Sequence, residues 1–249
     1  MDDYPFKPQR IALFTDFGHQ GPYLGQVKAV LADISVPVIE LQSDAPTFNP
    51  RASAYLLSSI MRDMPRGTLY LGVIDPGVGG ERDPIVAWSG GDCFVGPDNG
   101  LFSRVIEPAD SQIQAITWQP EKLSSSFHGR DLFAPVVKKI CLGEPVSSVP
   151  IAYKSIVGSD WPGEIPEVIY VDHYGNLVTG LRGADIDKRK VLYVAGQEIE
   201  YARTFCEAGP GELFWYIDSF GLIEVAENQG RADQRLNVTV GERLQFSGK

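Results

Sequence analysis

Cysteine is scarce in this chain of 249 residues, which contains only Cys93, Cys141 and Cys206. The three lie far apart and are odd in number, which argues against a disulfide framework and against a cysteine metal site. Free cysteines most often serve as small buried residues, and their presence fits a reducing compartment.

Long apolar runs are missing as well. No stretch reaches the ~20 apolar residues that a membrane-spanning helix needs. The opening Met1-Asp-Asp-Tyr-Pro5 has neither the basic region nor the apolar core of a secretion signal. These absences predict a protein that is located in the cytoplasm and has no membrane partner.

Positive charge is also in short supply. Lys and Arg number 22 against 32 Asp and Glu, which gives a formal net charge of −10. Phosphate binding needs clustered Lys and Arg, so this balance argues against a nucleic-acid partner and is compatible with a cationic small molecule. The apolar share of 43% is that of an ordinary globular protein with room for one large domain or two modest ones.

Several common catalytic motifs are absent. The chain has no Gly-x-Gly-x-x-Gly that opens a helix, no phosphate-binding loop with Lys-Ser/Thr and no Gly-x-Ser-x-Gly elbow. Its histidines are His19, His128 and His173, with no pair at metal-ligand spacing. A metal site formed by Asp16, His19 and His128 remains an alternative, although no spacing favours it.

The first part of the chain alternates between strand and helix patterns. Arg10–Thr15, Val36–Leu41 and Thr68–Ile74 have the composition of buried strands, and helical spacing separates them at Tyr23–Asp33 and Asn49–Met64. This order is typical of a parallel sheet with helices on its faces. Further strands are predicted at 84–88, 92–96 and 113–118, and a further helix at 131–141.

The second part has a different texture. Residues 148–166 lie in a proline-rich stretch and are predicted to be a linker. From residue 167 onward, short apolar runs alternate with turn signals, which favours a small antiparallel barrel or sandwich. The predicted fold is therefore α/β: an N-terminal α/β domain with a mainly parallel sheet (1–147), the linker, and a smaller C-terminal antiparallel β-barrel domain (167–249), with a sandwich as the alternative for that domain.

The stretch from Leu71 to Arg82 contains the first pair of candidate site residues, Asp75 and Arg82. An apolar strand breaks at Asp75-Pro-Gly77, where proline and glycine suit the two corners of a tight turn. Asp75 then lies at the carboxyl end of a buried strand, the edge where open α/β sheets bind ligands, and Arg82 returns towards it. A tight turn closed by an Asp–Arg pair is the structural alternative.

Other polar residues follow strand ends in the same half. Asp16 follows the first strand, Asp98-Asn99 follow the fifth, and His128 precedes the last helix. Parallel strands emerge on one side of a sheet, so we expect Asp16, Asp75 and His128 to converge in one crevice. The alternatives are a helix cap for Asp16 and a surface residue for His128.

The second half contains two polar islands. Asp172-His-Tyr-Gly-Asn176 has good turn chemistry, so a plain hairpin turn is the alternative to a binding role. Asn228 has a similar alternative, since Gly230 follows it closely.

Taken together, these pieces resemble the family of S-adenosyl-L-methionine (SAM) hydroxide adenosyltransferases, relatives of the fluorinase and chlorinase. The matching motifs are Thr15-Asp-Phe-Gly18, Ile74-Asp-Pro-Gly-Val-Gly79 with Arg82, Gly96-Pro-Asp-Asn-Gly-Leu101, Phe127-His-Gly-Arg-Asp131, Asp172-His-Tyr-Gly-Asn176, Ser219-Phe-Gly221 and Asn228. They follow one order over nearly the whole chain, which makes the combination far more specific than any single motif.

The resemblance implies a role for each matched residue. Asp75, Arg82 and His128 would orient and activate a water molecule, with Asp75 and His128 accepting its hydrogen bonds. The implied substrate-binding residues are Asp16 for the ribose diol, Phe48 for stacking on adenosine, Asp172, Tyr174 and Asn176 for the methionine portion and adenine, Ser219 for methionine and Asn228 for adenine. In one departure, Gly21 stands where the family usually has an acidic residue.

The resemblance also implies an activity and an assembly. The expected reaction is hydrolysis of SAM to adenosine and L-methionine by in-line attack of water on the ribose 5′ carbon, with no cofactor. The family forms homotrimers whose active sites lie between the N-terminal domain of one subunit and the C-terminal domain of the next. The alternatives are halide transfer, which would give 5′-chloro-5′-deoxyadenosine, a SAM- or nucleoside-binding module without turnover, and a metal-dependent hydrolase.

Overall fold

The structure is a computed structural model that describes residues 6–247, so the N-terminal stretch used above to predict location lies outside it. The chain divides into two compact units. The first contains the described residues up to Ala54 together with Met64–Trp161, and the second contains Tyr55–Asp63 and the described residues from Pro162 onward. No helix within residues 6–247 has the length and apolar character needed to cross a membrane.

The first unit is built on a seven-stranded sheet with the order β2-β1-β3-β5-β4-β6-β7. Its strands are β1 Arg10–Thr15, β2 Val38–Gln42, β3 Thr68–Val73, β4 Pro84–Ser89, β5 Asp92–Pro97, β6 Ser111–Ile116 and β7 Ser148–Pro150. The pairs along β2-β1-β3-β5 are parallel, and those along β5-β4-β6-β7 are antiparallel.

The prediction of a mainly parallel sheet is therefore wrong, because the sheet is mixed. The cause is local: Ser89 pairs with Asp92, so only Gly90 and Gly91 connect β4 to β5. Such a short connection can form only an antiparallel hairpin, since a parallel pair needs a crossover of a dozen or more residues. The last strand, β7, lies within the stretch that was predicted to be a linker.

Three helices lie where helical patterns were predicted: α1 Tyr23–Val30, α2 Pro50–Ile60 and α3 Ala134–Leu142. A short fourth helix, α4 Ala232–Leu236, was not predicted. The Asn49 side chain accepts a hydrogen bond from Ala52 N at 3.0 Å at the start of α2, and Gly143 ends α3 in the left-handed conformation. A π-helical turn, Gly129–Phe133, leads into α3.

Strands β1 and β3 set the position of the site. Thr15 and Val73, their last residues, are paired neighbours in the parallel register. Leu13 and Leu71 are completely buried in a core shared with α1 and α3. The loops that follow β1 and β3 therefore leave one edge of the sheet side by side from a rigid base.

The second unit contains another seven-stranded sheet, ordered β14-β10-β11-β12-β13-β9-β8. Its strands are β8 Val168–Val171, β9 Leu177–Arg182, β10 Leu192–Val194, β11 Gln197–Tyr201, β12 Leu213–Ile217, β13 Leu222–Glu227 and β14 Leu244–Phe246. Hydrogen bonds from Val168 N to Glu242 O and from Leu244 N to Pro166 O join its two ends, so the sheet curls into a half-barrel. The pairing is antiparallel except between β11 and β12, which are parallel, so the predicted antiparallel barrel is corrected to a mixed, curled sheet.

Candidate active site

A cavity of about 360 Å³ lies at the sheet edge beyond β1 and β3. Four of the predicted residues line it: Asp16, Phe48, Asp75 and His128. They come from four separate segments of the first unit, as expected if the loops at that edge converge. The fifth predicted residue of this unit, Arg82, is not among the lining residues and stands behind Asp75 and His128.

Asp75 and Arg82 form a bidentate ion pair. Arg82 Nε lies 3.1 Å from each carboxylate oxygen of Asp75, and Arg82 Nη2 lies 2.5 Å from Oδ2. Their side chains are only 5% and 11% exposed. A buried pair in this two-point geometry fixes the orientation of the carboxylate far better than an exposed pair would.

Arg82 contacts His128 as well. Its Nη2 lies 2.8 Å from His128 Nδ1. A guanidinium has only donors, so Nδ1 must be the acceptor, and the proton of the neutral ring is then on Nε2. Burial, followed by the positive charge of Arg82, lowers the pKa of His128 below its usual value. At neutral pH, therefore, the ring is uncharged and presents an N–H donor at its remaining nitrogen.

Close contact between two loops holds this trio together. Gly79, in the loop after β3, has φ +78°, and an added Cβ there would overlap the carbonyl oxygen of Ser125. Only glycine satisfies both the backbone angle and the space. On the other side, Asp131 accepts a hydrogen bond from Ser124 N at 3.0 Å, which ties the loop before His128 to the π-helical turn.

Asp16 and Phe48 form the opposite side of the cavity. Phe48 N donates to Asp16 Oδ2 at 3.0 Å. Phe48 has φ +58°, a strained angle for a bulky residue, yet its side chain is 75% exposed. Burial, and to a smaller degree the charge of Asp75, raises the pKa of Asp16. Strain at an exposed aromatic residue on a cavity rim indicates a functional constraint rather than a packing requirement.

Three aromatic residues of this cavity were missed by the sequence prediction. Phe17, Tyr23 and Phe127 all line it and contact one another. Phe17 and Phe127 lie inside the motifs quoted above, directly beside Asp16 and His128. Their position next to these predicted residues could have identified Phe17 and Phe127 as cavity residues. Tyr23, by contrast, has only the pattern of a first residue of a helix.

A second cavity, of about 690 Å³, lies in the second unit. It brings together four predicted residues: Asp172, Tyr174, Asn176 and Ser219. Asp172 accepts hydrogen bonds from Asn176 N at 2.8 Å and from Asn176 Nδ2 at 3.0 Å, so the segment does form the compact turn that was the structural alternative. A hairpin turn and a binding role are compatible here, since the side chains that form the turn also line the cavity.

The floor of this second cavity holds a buried acid that was not predicted. Glu224 is 5% exposed and accepts a hydrogen bond from Tyr216 Oη at 2.5 Å. Burial, with the nearby charges of Asp218 and Asp172, raises the pKa of Glu224 to about 7. A charged residue inside the apolar run of β13 was the sequence signal, because buried carboxyl groups need a specific reason.

Several polar candidates lie outside both cavities. Asn228 Nδ2 donates to Ala208 O at 2.7 Å, so its amide supports a turn. Asn99 Nδ2 donates to Ile74 O at 2.7 Å at the end of β3, and Asp98 accepts from Val157 N. His19 is exposed and lies 3.7 Å from Asp44. Within residues 6–247, no group of three or more His, Cys, Asp or Glu side chains is arranged to hold a metal ion.

Comparisons with known proteins match both parts of the chain to one family. Models of the SAM hydroxide adenosyltransferase N-terminal domain and C-terminal domain match residues 11–150 and 166–245. The chain belongs to the SAM hydroxide adenosyltransferase family. The resemblance read from the motifs is thereby confirmed.

Relatives in the SAM hydroxide adenosyltransferase family are similar over almost their full length. A Salinispora arenicola protein named (R)-S-adenosyl-L-methionine hydrolase is 33% identical over 254 residues, which cover 95% of this chain and 97% of that protein. A protein of the same name from Thermus thermophilus is also 33% identical, over 93% of this chain and 96% of its own length.

Solved structures agree with the family fold. An uncharacterised conserved protein from Thermotoga maritima superposes with a TM-score of 0.83 at 30% identity, covering 96% of this chain and all of that one. A conserved hypothetical protein from Thermus thermophilus has a TM-score of 0.78 at 30% identity, covering 97% and 100%.

Proposed function

We propose that this chain hydrolyses SAM to adenosine and L-methionine. The proposal is supported by family membership and by the names of the relatives. The observation that carries it is the single guanidinium of Arg82, which is bonded at once to Asp75 and to His128, two residues that line the same cavity. The other predicted contacts are proposed as well: Asp16, Phe48, Asp172, Tyr174, Asn176, Ser219 and Asn228 as substrate-binding residues.

The substrate explains why so small a set of groups suffices. The oxygen of water forms a bond to the 5′ carbon while the bond from that carbon to sulfur breaks, and the electron pair moves to sulfur. The sulfonium thereby leaves as the neutral thioether of methionine, so no general acid is needed. The oxygen releases a proton, which Asp75 or solvent accepts.

The two groups that touch the water have different roles in this scheme. Asp75 offers carboxylate oxygens and accepts a hydrogen bond from the water. His128 was expected to accept as well, but its Nδ1 is already bonded to Arg82, so the ring donates from Nε2 to the oxygen. One acceptor and one donor hold the nucleophile along a defined line, while Arg82 fixes both partners.

Positioning contributes more than proton removal in this reaction. Holding two reactants in line can lower a barrier by roughly 7–11 kcal/mol. A general base typically contributes about 10²–10⁴-fold, which corresponds to roughly 3–5 kcal/mol. Because Asp75 is already paired with Arg82, its main contribution to catalysis is to position the water. No cofactor is required for either contribution.

The assembly proposed for the active enzyme is a homotrimer. Each unit has its own cavity, and each cavity has a strongly exposed aromatic residue on its wall, Phe48 at 75% and Tyr174 at 72%. In the proposed trimer, the first cavity of one subunit and the second cavity of the next subunit close over one substrate. Sedimentation gives the subunit number directly.

Mixed oligomers test the shared site more sharply. Asp75→Ala disables the first cavity and Asp172→Ala disables the second. If sites are shared between subunits, coexpression of the two inactive variants restores activity to about a quarter of wild type, since that fraction of random neighbours forms an intact site. If every site belongs to one subunit, coexpression restores nothing.

Product analysis tests the reaction itself. Purified protein is incubated with SAM, and the nucleoside is identified by chromatography and mass spectrometry. Adenosine and methionine in equal amounts are the expected products. A 5′-chloro nucleoside formed in the presence of chloride would indicate halide transfer, bound but unchanged SAM would indicate a binding module, and loss of activity with a chelator would indicate a metal-dependent hydrolase.

The configuration at sulfur is part of the same experiment. The relatives' names specify (R)-S-adenosyl-L-methionine. The letter L already gives the configuration of the amino-acid carbon, so R describes the configuration at the sulfonium sulfur. We therefore propose that this chain prefers the R epimer. Separate incubations with the two epimers give the ratio of kcat/KM, and a ratio that favours the S epimer would contradict the preference.

A further inference from the structure

The aromatic residues of the first cavity meet at steep angles. The ring centroids of Tyr23 and Phe127 lie 5.3 Å apart with the planes at 90°, and those of Phe17 and Phe127 lie 5.8 Å apart at 77°. Phe17 and Tyr23 are 6.1 Å apart at 50°. Rings that meet edge to face do not cover one another's faces on both sides. This aromatic corner, defined as Phe17, Tyr23 and Phe127, therefore keeps ring surface available to the cavity that all three line.

Tyr23 is the member with the most surface available. It is 51% exposed, and its hydroxyl has no hydrogen-bond partner among residues 6–247. Phe127 already carries a cation, since the guanidinium of Arg130 lies 5.0 Å from its ring centroid. Its packing against Phe17 and Phe127 covers Tyr23 only in part, so about half of the residue stays exposed.

The charges around the corner favour a positive ligand. The cavity is lined by the carboxylates of Asp16 and Asp75. Arg82 neutralises Asp75 through the ion pair, while the hydrogen bonds that Asp16 accepts come from the backbone N–H groups of Phe48 and of Asp16 itself and bring no positive charge. The cavity therefore has an excess of one negative charge, together with an aromatic surface. A soft, weakly hydrated cation suits that combination better than an anion or a neutral group does.

We propose that Tyr23, supported by Phe17 and Phe127, recognises the positive charge of the sulfonium and so makes this chain prefer SAM to its neutral thioether analogue, S-adenosylhomocysteine. The inference rests on the proposed function and adds a specificity-determining residue to it. The sulfonium loses its charge as the bond from the 5′ carbon to sulfur breaks. The attraction to the ring is therefore stronger in the bound substrate than in the transition state, and it serves affinity and product release rather than the chemical step.

Binding measurements separate charge recognition from shape. The background is His128→Ala, in which turnover is suppressed, and calorimetry measures the Kd of SAM and of S-adenosylhomocysteine. Tyr23→Leu is expected to weaken SAM binding roughly 3- to 30-fold, the range of a cation–π contact, and to change S-adenosylhomocysteine binding by less than about twofold. Tyr23→Phe keeps the ring and is expected to retain the preference for SAM.

Steady-state kinetics in the otherwise wild-type chain give a second measurement. Tyr23→Leu should raise KM for SAM without lowering kcat, because a contact that is stronger in the bound substrate than in the transition state does not lower the barrier. Tyr193→Leu is the matched control, since Tyr193 is a partly exposed tyrosine that lines neither of the two cavities. It should change neither constant.

The outcomes are distinct for the inference and for the proposed function. Equal losses of affinity for SAM and S-adenosylhomocysteine in Tyr23→Leu would overturn charge recognition while leaving hydrolysis intact. A fall in kcat with unchanged KM would overturn it as well. If neither compound binds the His128→Ala chain and the wild type produces no adenosine, the proposed function itself is overturned, and the inference with it.

Discussion

Arg82 Nη2 donates a hydrogen bond to His128 Nδ1 over 2.8 Å, and the same nitrogen lies 2.5 Å from Asp75 Oδ2. One guanidinium therefore sets both the orientation of a carboxylate and the tautomer of an imidazole. Phe133 lies against the other side of the group, with its ring centroid 5.4 Å from Arg82 Cζ. Because Arg can neither accept a hydrogen bond nor lose its proton, this arrangement fixes the donor and acceptor pattern presented to the cavity.

Acid should inactivate the enzyme through His128. Burial, and to a smaller degree the charge of Arg82, lowers the pKa of His128 below its usual value of 6.5. The ring therefore stays neutral to a lower pH than an ordinary histidine does. Protonation would place a proton on Nδ1, opposite the Arg82 donor, and break that contact. We expect the loss of kcat/KM that is due to His128 to have its midpoint below pH 6.5. A pH–rate profile tests this, with nitrogen-15 NMR to show the Nε2–H tautomer. His19→Gln, at an exposed histidine, should leave the profile unchanged.

Asp75→Ala should reduce turnover far more than binding. The carboxylate is proposed to place the attacking water and to accept its hydrogen bond, and both functions act in the transition state. We expect kcat to fall by about 10²–10⁴-fold and the Kd of SAM to change by less than tenfold. Single-turnover kinetics and calorimetry provide the two numbers. Equal losses in both would contradict the assigned role. Asp33→Ala, which removes an exposed carboxylate paired with Lys138, is the control.

Gly79→Ala tests whether the contact between the two loops positions the trio. Gly79 and Gly91 have similar backbone angles, φ +78° and +84°, but only Gly79 faces another backbone group, the carbonyl of Ser125. Alanine at either site should cost about 1–2 kcal/mol for the left-handed conformation. Only Gly79→Ala should also displace the loop that carries Asp75 and Arg82 and reduce kcat at least tenfold. Equal activity in the two variants would show that the contact is not needed for positioning.

The sequence was informative where short-range chemistry decides the structure. The turn at Asp75-Pro-Gly77 and the start of a helix at Asn49 are local features, and the structure has both where they were predicted. The edge at which Asp16 and Asp75 meet followed from one rule about parallel strands. The antiparallel pairing of β4 to β7 was not predicted, because the β-α-β order of the first half was assumed to continue beyond Gly90-Gly91. A two-residue turn reverses the chain there.

Residues that act through tertiary contacts were harder to predict. Tyr23 has the pattern of a helix start, and only its packing against Phe17 and Phe127 shows that it faces the cavity. Glu224 stands in an apolar strand, where sequence patterns predict core, and Tyr216, eight residues away, provides its hydrogen bond across the hairpin. The alternation of side chains along the two strands predicts that Tyr216 and Glu224 lie on the same face of the sheet. It does not predict that this polar pair lines a cavity.

Glu224 should make stability depend on pH. Burial, with Asp218 and Asp172, raises its pKa from 4.5 to about 7. A raised carboxyl pKa stabilises the fold fully below 4.5, and this stabilisation is lost as the pH rises through about 7. Glu224→Gln is uncharged at every pH. The free energy of unfolding of the variant should therefore rise relative to wild type between pH 5 and pH 8, by up to roughly 3 kcal/mol. Denaturation at the two pH values measures the difference, and Glu198→Gln, at an exposed site, should show none.

Phe48→Gly should make the protein more stable and a poorer binder at the same time. The ring is 75% exposed and contributes little to the core, while its φ of +58° is strained for any residue with a side chain. Glycine removes that strain, for a gain of up to about 1 kcal/mol after its own entropy cost. If the ring stacks on adenine as proposed, its loss should weaken binding of adenosine roughly 5- to 100-fold.

Ala195→Gly separates these two effects. Ala195 has φ +49°, is exposed and lines neither of the two cavities, so glycine there relieves a similar strain without touching the proposed site. Chemical denaturation should show a gain in both variants, whereas calorimetry with adenosine should show a loss only in Phe48→Gly. A stable Phe48→Gly chain with undiminished affinity would mean that the strained loop exists for another purpose. Loss of stability in that variant would instead assign the ring to packing, which its exposure argues against.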